Sequence, residues 1–397
     1  MKQIHSRLNG LWILHLLGIV GFFLIPPALS RCAERTNSYR GIAILVQFPD
    51  VKHNVSRDYA LNRFNKGLGP YVKEMSYGTV SLMVDATSKW YTLPDKVRDY
   101  KISPRNLEVD KSRIRRLIND ALGAAEKDVD FSKYDFTVVF LGAQLKDYGM
   151  IGLCGYPGML GWAAEDALKT PRKQIVKGGV AIFCYPAHIG TLFHDVAHVL
   201  GGVKDGKRLV PCLYDHDLQA KPGPMREVFV NAMINMGYWD PMSCHYSQFG
   251  VPPMGISSWT RMRLNWIDPS RIKVIQPGET SDCLLAPLAQ TSTDIVAIKI
   301  PLPDNRYYLI ENRQPIGFDQ YLPRNGVLIM YANDRVTECR RGDSPIRLIN
   351  ANPEVPHLEG AAFDIGKKSV FEDRENKIRI ELREKTGISY RVHIGRP

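Results

Sequence analysis

Long runs of like charge are missing from this sequence, although 52 lysines and arginines against 41 aspartates and glutamates leave it at a formal +11. The basic residues are scattered, in pairs such as Arg115-Arg116 and Arg340-Arg341. A nucleic-acid backbone is held by cations gathered on one face or stripe, so we read a basic soluble surface and expect no nucleic acid as partner. Low-complexity segments and fixed-period repeats are also missing, which excludes solenoids. Cysteine is sparse, seven in 397 residues. The spacing contains no Cys-x-x-Cys pair, so neither a zinc ribbon nor a dense disulfide framework is encoded.

The apolar run from Leu11 to Ile25 falls short of the ~20 residues that cross a membrane. Lys2 and Arg7 precede it, and Pro26-Pro27-Ala28-Leu29-Ser30 follows with small residues at cleavage spacing. This is the pattern of a signal peptide over residues 1–30, with an uncleaved anchor as the alternative. The expected location is therefore secreted or periplasmic, with no membrane attachment once the signal is removed. Export permits disulfides, and Cys154, Cys184, Cys212 and Cys244 are candidates for one or two bridges.

What is present divides into two textures. Gly41 to Phe48, Thr79 to Val84, Phe136 to Leu141 and Gly179 to Tyr185 are β-branched or apolar runs that predict buried strands. Between them, residues 57–75 carry Leu61, Phe64, Leu68, Tyr71 and Val72 at helical spacing. Asp110 caps a second helix through about Lys127. Gly149 to Gly161 reads as a glycine-rich loop. We expect Val180 to Tyr185 to be a sheet edge able to pair with an extended peptide. Asp268-Pro-Ser270 marks a boundary. Beyond it come short alternating runs separated by Pro, Gly, Asn and Asp, which predict an all-β sandwich over 271–397. The fold class expected is α+β: a mixed sheet with a metal-site helix over 31–270, then the sandwich.

The chemistry centres on Thr191-Leu-Phe-His-Asp-Val-Ala-His-Val-Leu-Gly-Gly-Val-Lys-Asp205. On a helix, His194 and His198 share one face, which is half of a zinc site. A carboxylate follows the first histidine, as in H-E-x-x-H, where the Glu is the general base. Here that residue is Asp195, one carbon and about 1.5 Å shorter in reach. Gly201 follows the second histidine where metzincin-type peptidases turn the chain. Asp205 lies just beyond, placed as an oxygen ligand on a loop. Glu311 and Asp319 are candidates for a structural calcium ion, without a ligand loop of defined spacing. Tyr238, His245 and Tyr246 lie near in sequence and are read as packing residues, and Arg341-Gly-Asp343 as a surface turn.

Several segments resemble the immune inhibitor A family of secreted zinc metallopeptidases. They are Val46-Gln-Phe-Pro-Asp50, Glu74-Met-Ser-Tyr-Gly78, the histidine helix, and Trp239-Asp-Pro-Met-Ser243 with the stretch from Pro253 to Trp266. Tyr308 to Gln314 and Leu322 to Met330 resemble its downstream β-domain. The resemblance implies a zincin-like catalytic domain over 31–270 and one catalytic zinc held by His194 and His198. It also implies a methionine, Met242, packed under the metal, and a monomer that hydrolyses protein or peptide substrates with Asp195 as base. Two positions depart from the family. Lys204 stands where its third ligand, an Asp, is expected, and Asp195 replaces the Glu. Val210 to Asp217 also resembles the sequence around that ligand, with Cys212 in the Asp position, so the resemblance leaves Asp205 as the preferred third ligand and Cys212, Asp215 and His216 as further candidates. A catalytically degenerate homologue acting as an exported binding protein is the alternative implied.

Overall fold

The computed structural model describes residues 37–162, 168–220, 231–276 and 278–396. The expected signal peptide and Cys32 lie outside them. The apolar run at 41–48 forms most of β1 (Asn37–Gln47), the hub of a six-stranded sheet. β2 (Val80–Ala86), β3 (Tyr91–Thr92) and β4 (Phe136–Leu141) each run parallel to β1. β5 (Gly152–Tyr156) and β6 (Val180–Cys184) extend the sheet in the order β2-β1-β4-β6-β5. Every residue of β4 and β6 is buried, as parallel strands covered on both faces must be.

The period-two alternation of β1 sorts its side chains into two cores. Ile42, Ile44 and Val46 pack with the stripe Ile114, Leu117, Ile118, Ala121, Leu122 and Ala125. That stripe belongs to a helix of residues Lys111–Ala125, which Asp110 caps by accepting from the Ser112 and Arg113 N–H groups. Ala43 and Leu45 face the opposite way. There they meet α1, continuous over 57–75 with a π-helical turn at Arg63–Leu68. In chain order the Lys111–Ala125 helix is α2, and the histidine helix, Ile189–Gly201, is α3.

The structure corrects the expected sheet edge. β6 is interior: β4 pairs with it on one side and β5, antiparallel, on the other. The edge strand is β5, inside what reads as a glycine-rich loop. Glycines at 152, 155, 158 and 161 weaken a strand signal because glycine offers no side chain to pack.

After α4 (Ser258–Arg263), and across the expected boundary near 270, the described residues form only strands and short turns of 3-10 helix. In sequence these strands are β9 (Ile272–Val274), β10 (Ser281–Leu285), β11 (Ala297–Leu302), β12 (Arg306–Arg313), β13 (Gly326–Asn333), β14 (Ile346–Leu348), β15 (Val370–Asp373), β16 (Ile378–Thr386) and β17 (Ser389–Gly395). They form a five-stranded sheet, β14-β13-β12-β11-β9, and a four-stranded sheet, β10-β17-β16-β15. Tyr308, Ile310, Val327 and Ile329 pack with Ile380, Leu382, Tyr390 and Val392 between the two sheets. The alternate residues Tyr307, Leu309, Leu328 and Met330 join the core that holds Phe193 and Val196 of α3. The five-stranded sheet is thus buried on both faces, and one core runs from α3 into it. The architecture is mixed α/β with several sheets and few helices. No helix among the described residues is long and apolar enough to cross a membrane.

The calcium expectation meets a different arrangement. Glu311 and Asp319 are both committed to Arg313, at 2.9 Å to Glu311 Oε1 and 2.7 and 2.9 Å to the two Asp319 oxygens. Arg313 also donates to the Trp239 and Gly255 carbonyls, and all three charged side chains are buried. A guanidinium occupies the place expected for a cation. Removing one member of a buried ion network leaves uncompensated charge and costs about 3–5 kcal/mol. We expect Arg313→Met to lower unfolding free energy by that amount in urea titration. A loss under about 1 kcal/mol, the most an exposed ion pair usually contributes, would show that the two carboxylates are not buried in solution.

The expected disulfides do not form. Cys154, Cys184, Cys212, Cys244, Cys283 and Cys339 are all buried free thiols. Cys154, Cys184 and Cys244 each donate to a nearby backbone carbonyl, and Cys212 faces the histidine pair.

Candidate metal centre

The helix α3 is apolar nearly all round, and every residue from Gly190 to Val199 is buried. Such a helix belongs in an interior, and this one lies in the core shared by the six-stranded and five-stranded sheets. Its start is capped by His188, whose Nδ1 accepts from the Gly190 N–H. The four-residue spacing puts the His194 and His198 rings side by side, centroids 4.7 Å apart.

Each imidazole is oriented through Nδ1. His194 Nδ1 donates to the Pro241 carbonyl at 3.0 Å and His198 Nδ1 to the Val210 carbonyl at 2.6 Å. With the proton held on Nδ1, the Nε2 lone pair of each ring is left for a ligand, the usual outer arrangement of metal-binding histidines. Cys212 Sγ lies 3.5 Å from His194 Nε2 and 3.4 Å from His198 Nε2. Tetrahedral bonds of about 2.0–2.1 Å to nitrogen and 2.3 Å to sulfur separate such atoms by ~3.5–3.6 Å. These three residues are the one cluster of metal-ligating side chains among the described residues, all three buried. The arrangement could hold a metal ion.

The structure does not bring Asp205 to this pair. Gly202, at φ +65, ends the helix, and a two-stranded ribbon follows: β7 (Val203–Lys204) and β8 (Lys207–Arg208), placed in sequence between β6 and β9. Asp205 and Gly206 are its turn, with φ of +52 and +69. Positive φ at both central residues defines a type I′ hairpin, for which Asp-Gly is a leading signal. That dipeptide is the readable clue that Asp205 is a turn residue, and it sits exposed at the tip. The ribbon then carries the chain back along α3. Gly201 permits the approach, since a Cβ there would lie 2.5 Å from Val210 Cγ2. Val210 reaches His198, and Cys212 completes the cluster. Of the residues that follow it in the chain, Asp215 is engaged elsewhere, whereas His216 lines the same cavity and hydrogen-bonds Cys212. Asp215 accepts from the Asp217, Leu218 and Gly342 N–H groups, and His216 lies 3.9 Å from Glu338.

The Trp239-Asp-Pro-Met-Ser243 turn is pinned by one fully buried carboxylate. Asp240 accepts from Met242 N, Ser257 N, Ser257 Oγ and Thr260 Oγ1, at 2.6–2.9 Å. A buried charge needs this many donors to be tolerable. The result ties the turn to the start of α4 and aims Pro241 O at His194. Met242 is buried in the same core as Val196 and Leu213, and its carbonyl accepts from Leu213 N, next to Cys212.

Asp195 is buried on the same cavity wall as the three donors. The Cys154 N–H of β5 donates towards its carboxylate, while Oδ2 has no protein partner among the described residues. Gly152 leaves that oxygen room, since a Cβ there would stand 2.9 Å from it. Burial pushes the Asp195 carboxyl up to about 7, against the pull of His194. Burial, then Arg208 and His194, hold His198 well below the ordinary imidazole value, so it is neutral. For Cys212 burial works against the thiolate, but Arg208 and His216 together outweigh it and the thiol lies below its usual range.

The cavity measures about 270 Å³. Asn106, Gly152, Tyr214 and His245 line both it and a larger cleft of about 890 Å³. Tyr238 and Tyr246 line the cleft. His245 packs on His194 with centroids 4.3 Å apart, and Thr191 Oγ1 lies 3.0 Å from its Nδ1. Tyr214, stacked 5.7 Å from His194, and Arg208 escape a reading of the sequence, because neither carries a motif of its own. No family model matches the chain, and neither does any curated protein.

Proposed function

We propose that this chain is an exported zinc-dependent endopeptidase of the immune inhibitor A type, with a zincin-like catalytic fold. The observation that carries the reading is the convergence of His194, His198 and Cys212 with Asp195 on one cavity wall beside an open cleft. Two nitrogens and a sulfur suit zinc, and three protein donors leave the fourth position of a catalytic site. Held by these residues, zinc would supply a Lewis acid and activate water at neutral pH.

The protein's own groups supply the rest. Asp195 Oδ2, the oxygen without a protein partner among the described residues, is the atom that would take a proton from water and return it to the leaving amine. The Pro241 and Val210 carbonyls hold both imidazoles in one tautomer. The edge strand β5, rather than β6, would offer its backbone to an extended substrate.

A second reading keeps the metal and drops turnover: an exported binding protein descended from such a peptidase. Asp195 favours it, because misplacing a base by about 1 Å costs on the order of 10² in rate. The test is direct. Purified protein should contain about one zinc per chain and cleave an unfolded protein such as casein. Chelation should remove both and added zinc restore both. Zinc retention without cleavage on any unfolded substrate would leave the binding protein. A protein that takes up no zinc would end both readings.

A further inference from the structure

Behind Cys212 lies a charged clamp that the proposed reaction does not use. Arg208, at the end of β8, is 7% exposed, and its Nη2 donates to Cys212 Sγ at 3.8 Å. The same guanidinium donates from Nε and Nη2 to both Glu338 oxygens, at 3.1 and 2.6 Å. Glu338 comes from the loop between β13 and β14, in the five-stranded sheet. That loop grips the rest of the segment as well. The Cys339 carbonyl accepts from His216 N, Gly342 N donates to Asp215 Oδ2, and Arg340 forks onto both Asp217 oxygens at 2.8 and 2.9 Å. The turn Arg341-Gly-Asp343 is thus engaged inwards through Gly342.

A buried arginine is costly, and an apolar residue of similar volume is often the more stable choice. Glu338 balances the charge but does not explain why the fork also reaches sulfur. Arginine can do both because its planar donors point in fixed directions, which a lysine ammonium cannot match. We propose that Arg208 is a positioning residue of the metal centre: held by Glu338, it fixes the direction of Cys212 Sγ and weakens the sulfur's donation to the metal. The inference rests on reading His194, His198 and Cys212 as metal ligands. A hydrogen bond drawn onto a ligand sulfur withdraws electron density from it, which leaves the metal a stronger Lewis acid. It also means that the C-terminal sheets, through Glu338, reach the metal centre.

Cobalt(II) reads this without any need for activity, because sulfur-to-cobalt charge transfer absorbs in the near ultraviolet. In the wild type such a band is expected, and Cys212→Ser should remove it. Arg208→Met should move the band to lower energy and weaken zinc binding by about 10–100-fold, the usual cost of losing an outer-shell partner. Glu338→Gln, nearly isosteric, should shift it in the same direction by less. Arg208→Lys should not restore the wild-type position. Asp217→Asn, which breaks a neighbouring tie without touching Arg208, should leave the band in place.

The inference is overturned if folded Arg208→Met and Glu338→Gln keep the wild-type band, even where affinity falls, since a purely structural clamp would lose metal without altering the sulfur. A wild-type protein that binds cobalt without a sulfur band overturns it through Cys212. One that binds neither cobalt nor zinc overturns the metal reading itself, a result distinct from the first.

Discussion

Cys212→Ala should lower zinc affinity by roughly 10²–10³-fold, whereas Asp205→Asn should leave it within about twofold. Structural zinc sites bind with about 10–16 kcal/mol over four ligands, or ~2.5–4 kcal/mol for each, and 1.4 kcal/mol is a factor of ten. Cys212 Sγ stands within 3.5 Å of both Nε2 atoms, and Asp205 stands at the exposed tip of the β7–β8 ribbon. Asparagine is the right substitution at 205, because Asn-Gly supports the same turn as Asp-Gly and only the carboxylate is lost. Competition against a chromophoric chelator measures both variants. The reverse order, with Asp205→Asn losing the metal and Cys212→Ala keeping it, would mean that the ribbon folds onto α3 in solution and that Cys212 is a core thiol.

If the proposed peptidase reading holds, Asp195→Asn should still bind zinc and reduce peptide hydrolysis by about 10²–10⁴-fold, the range that general acid–base catalysis contributes. The amide preserves the volume and loses the acceptor that would move the proton. Asp195→Glu is the sharper comparison. The Asp195 carboxylate faces the Cys154 N–H and sits in space that Gly152 leaves open. A longer side chain must leave that place, so we expect the Glu variant to be less active than the wild type. Single-turnover cleavage of a fluorogenic peptide separates the outcomes. A gain of activity in the Glu variant over an inert wild type would establish the binding-protein reading. Loss of zinc in Asp195→Asn would make the carboxylate a ligand instead of a base.

Much of this site is legible from the residues alone. The apolar run with histidines four apart predicts a buried helix with both rings on one face, and α3 is that helix. The stripe capped by Asp110 predicts α2, and alternation beyond 270 predicts strands. These are preferences set by neighbours within about four residues. The third donor is not legible in that sense. Asp205 precedes Cys212 in the chain and is the harder ligand, yet an Asp-Gly turn carries it away. A strand hidden among glycines likewise escapes the pattern, because pairing with β6 and not local propensity makes β5.

The sequence by itself therefore determined the helix, its two imidazoles, the carboxylate between them and the alternating strands of the C-terminal half. Only the tertiary structure decided that Cys212 completes the cluster, that Arg313 bridges Glu311 and Asp319, and that Glu338 reaches Arg208 from the five-stranded sheet. Side chains on one helix are placed by its 3.6-residue period. Side chains brought together from a hairpin and from a loop over a hundred residues away are placed by the register and packing of the elements that carry them, which no local pattern records.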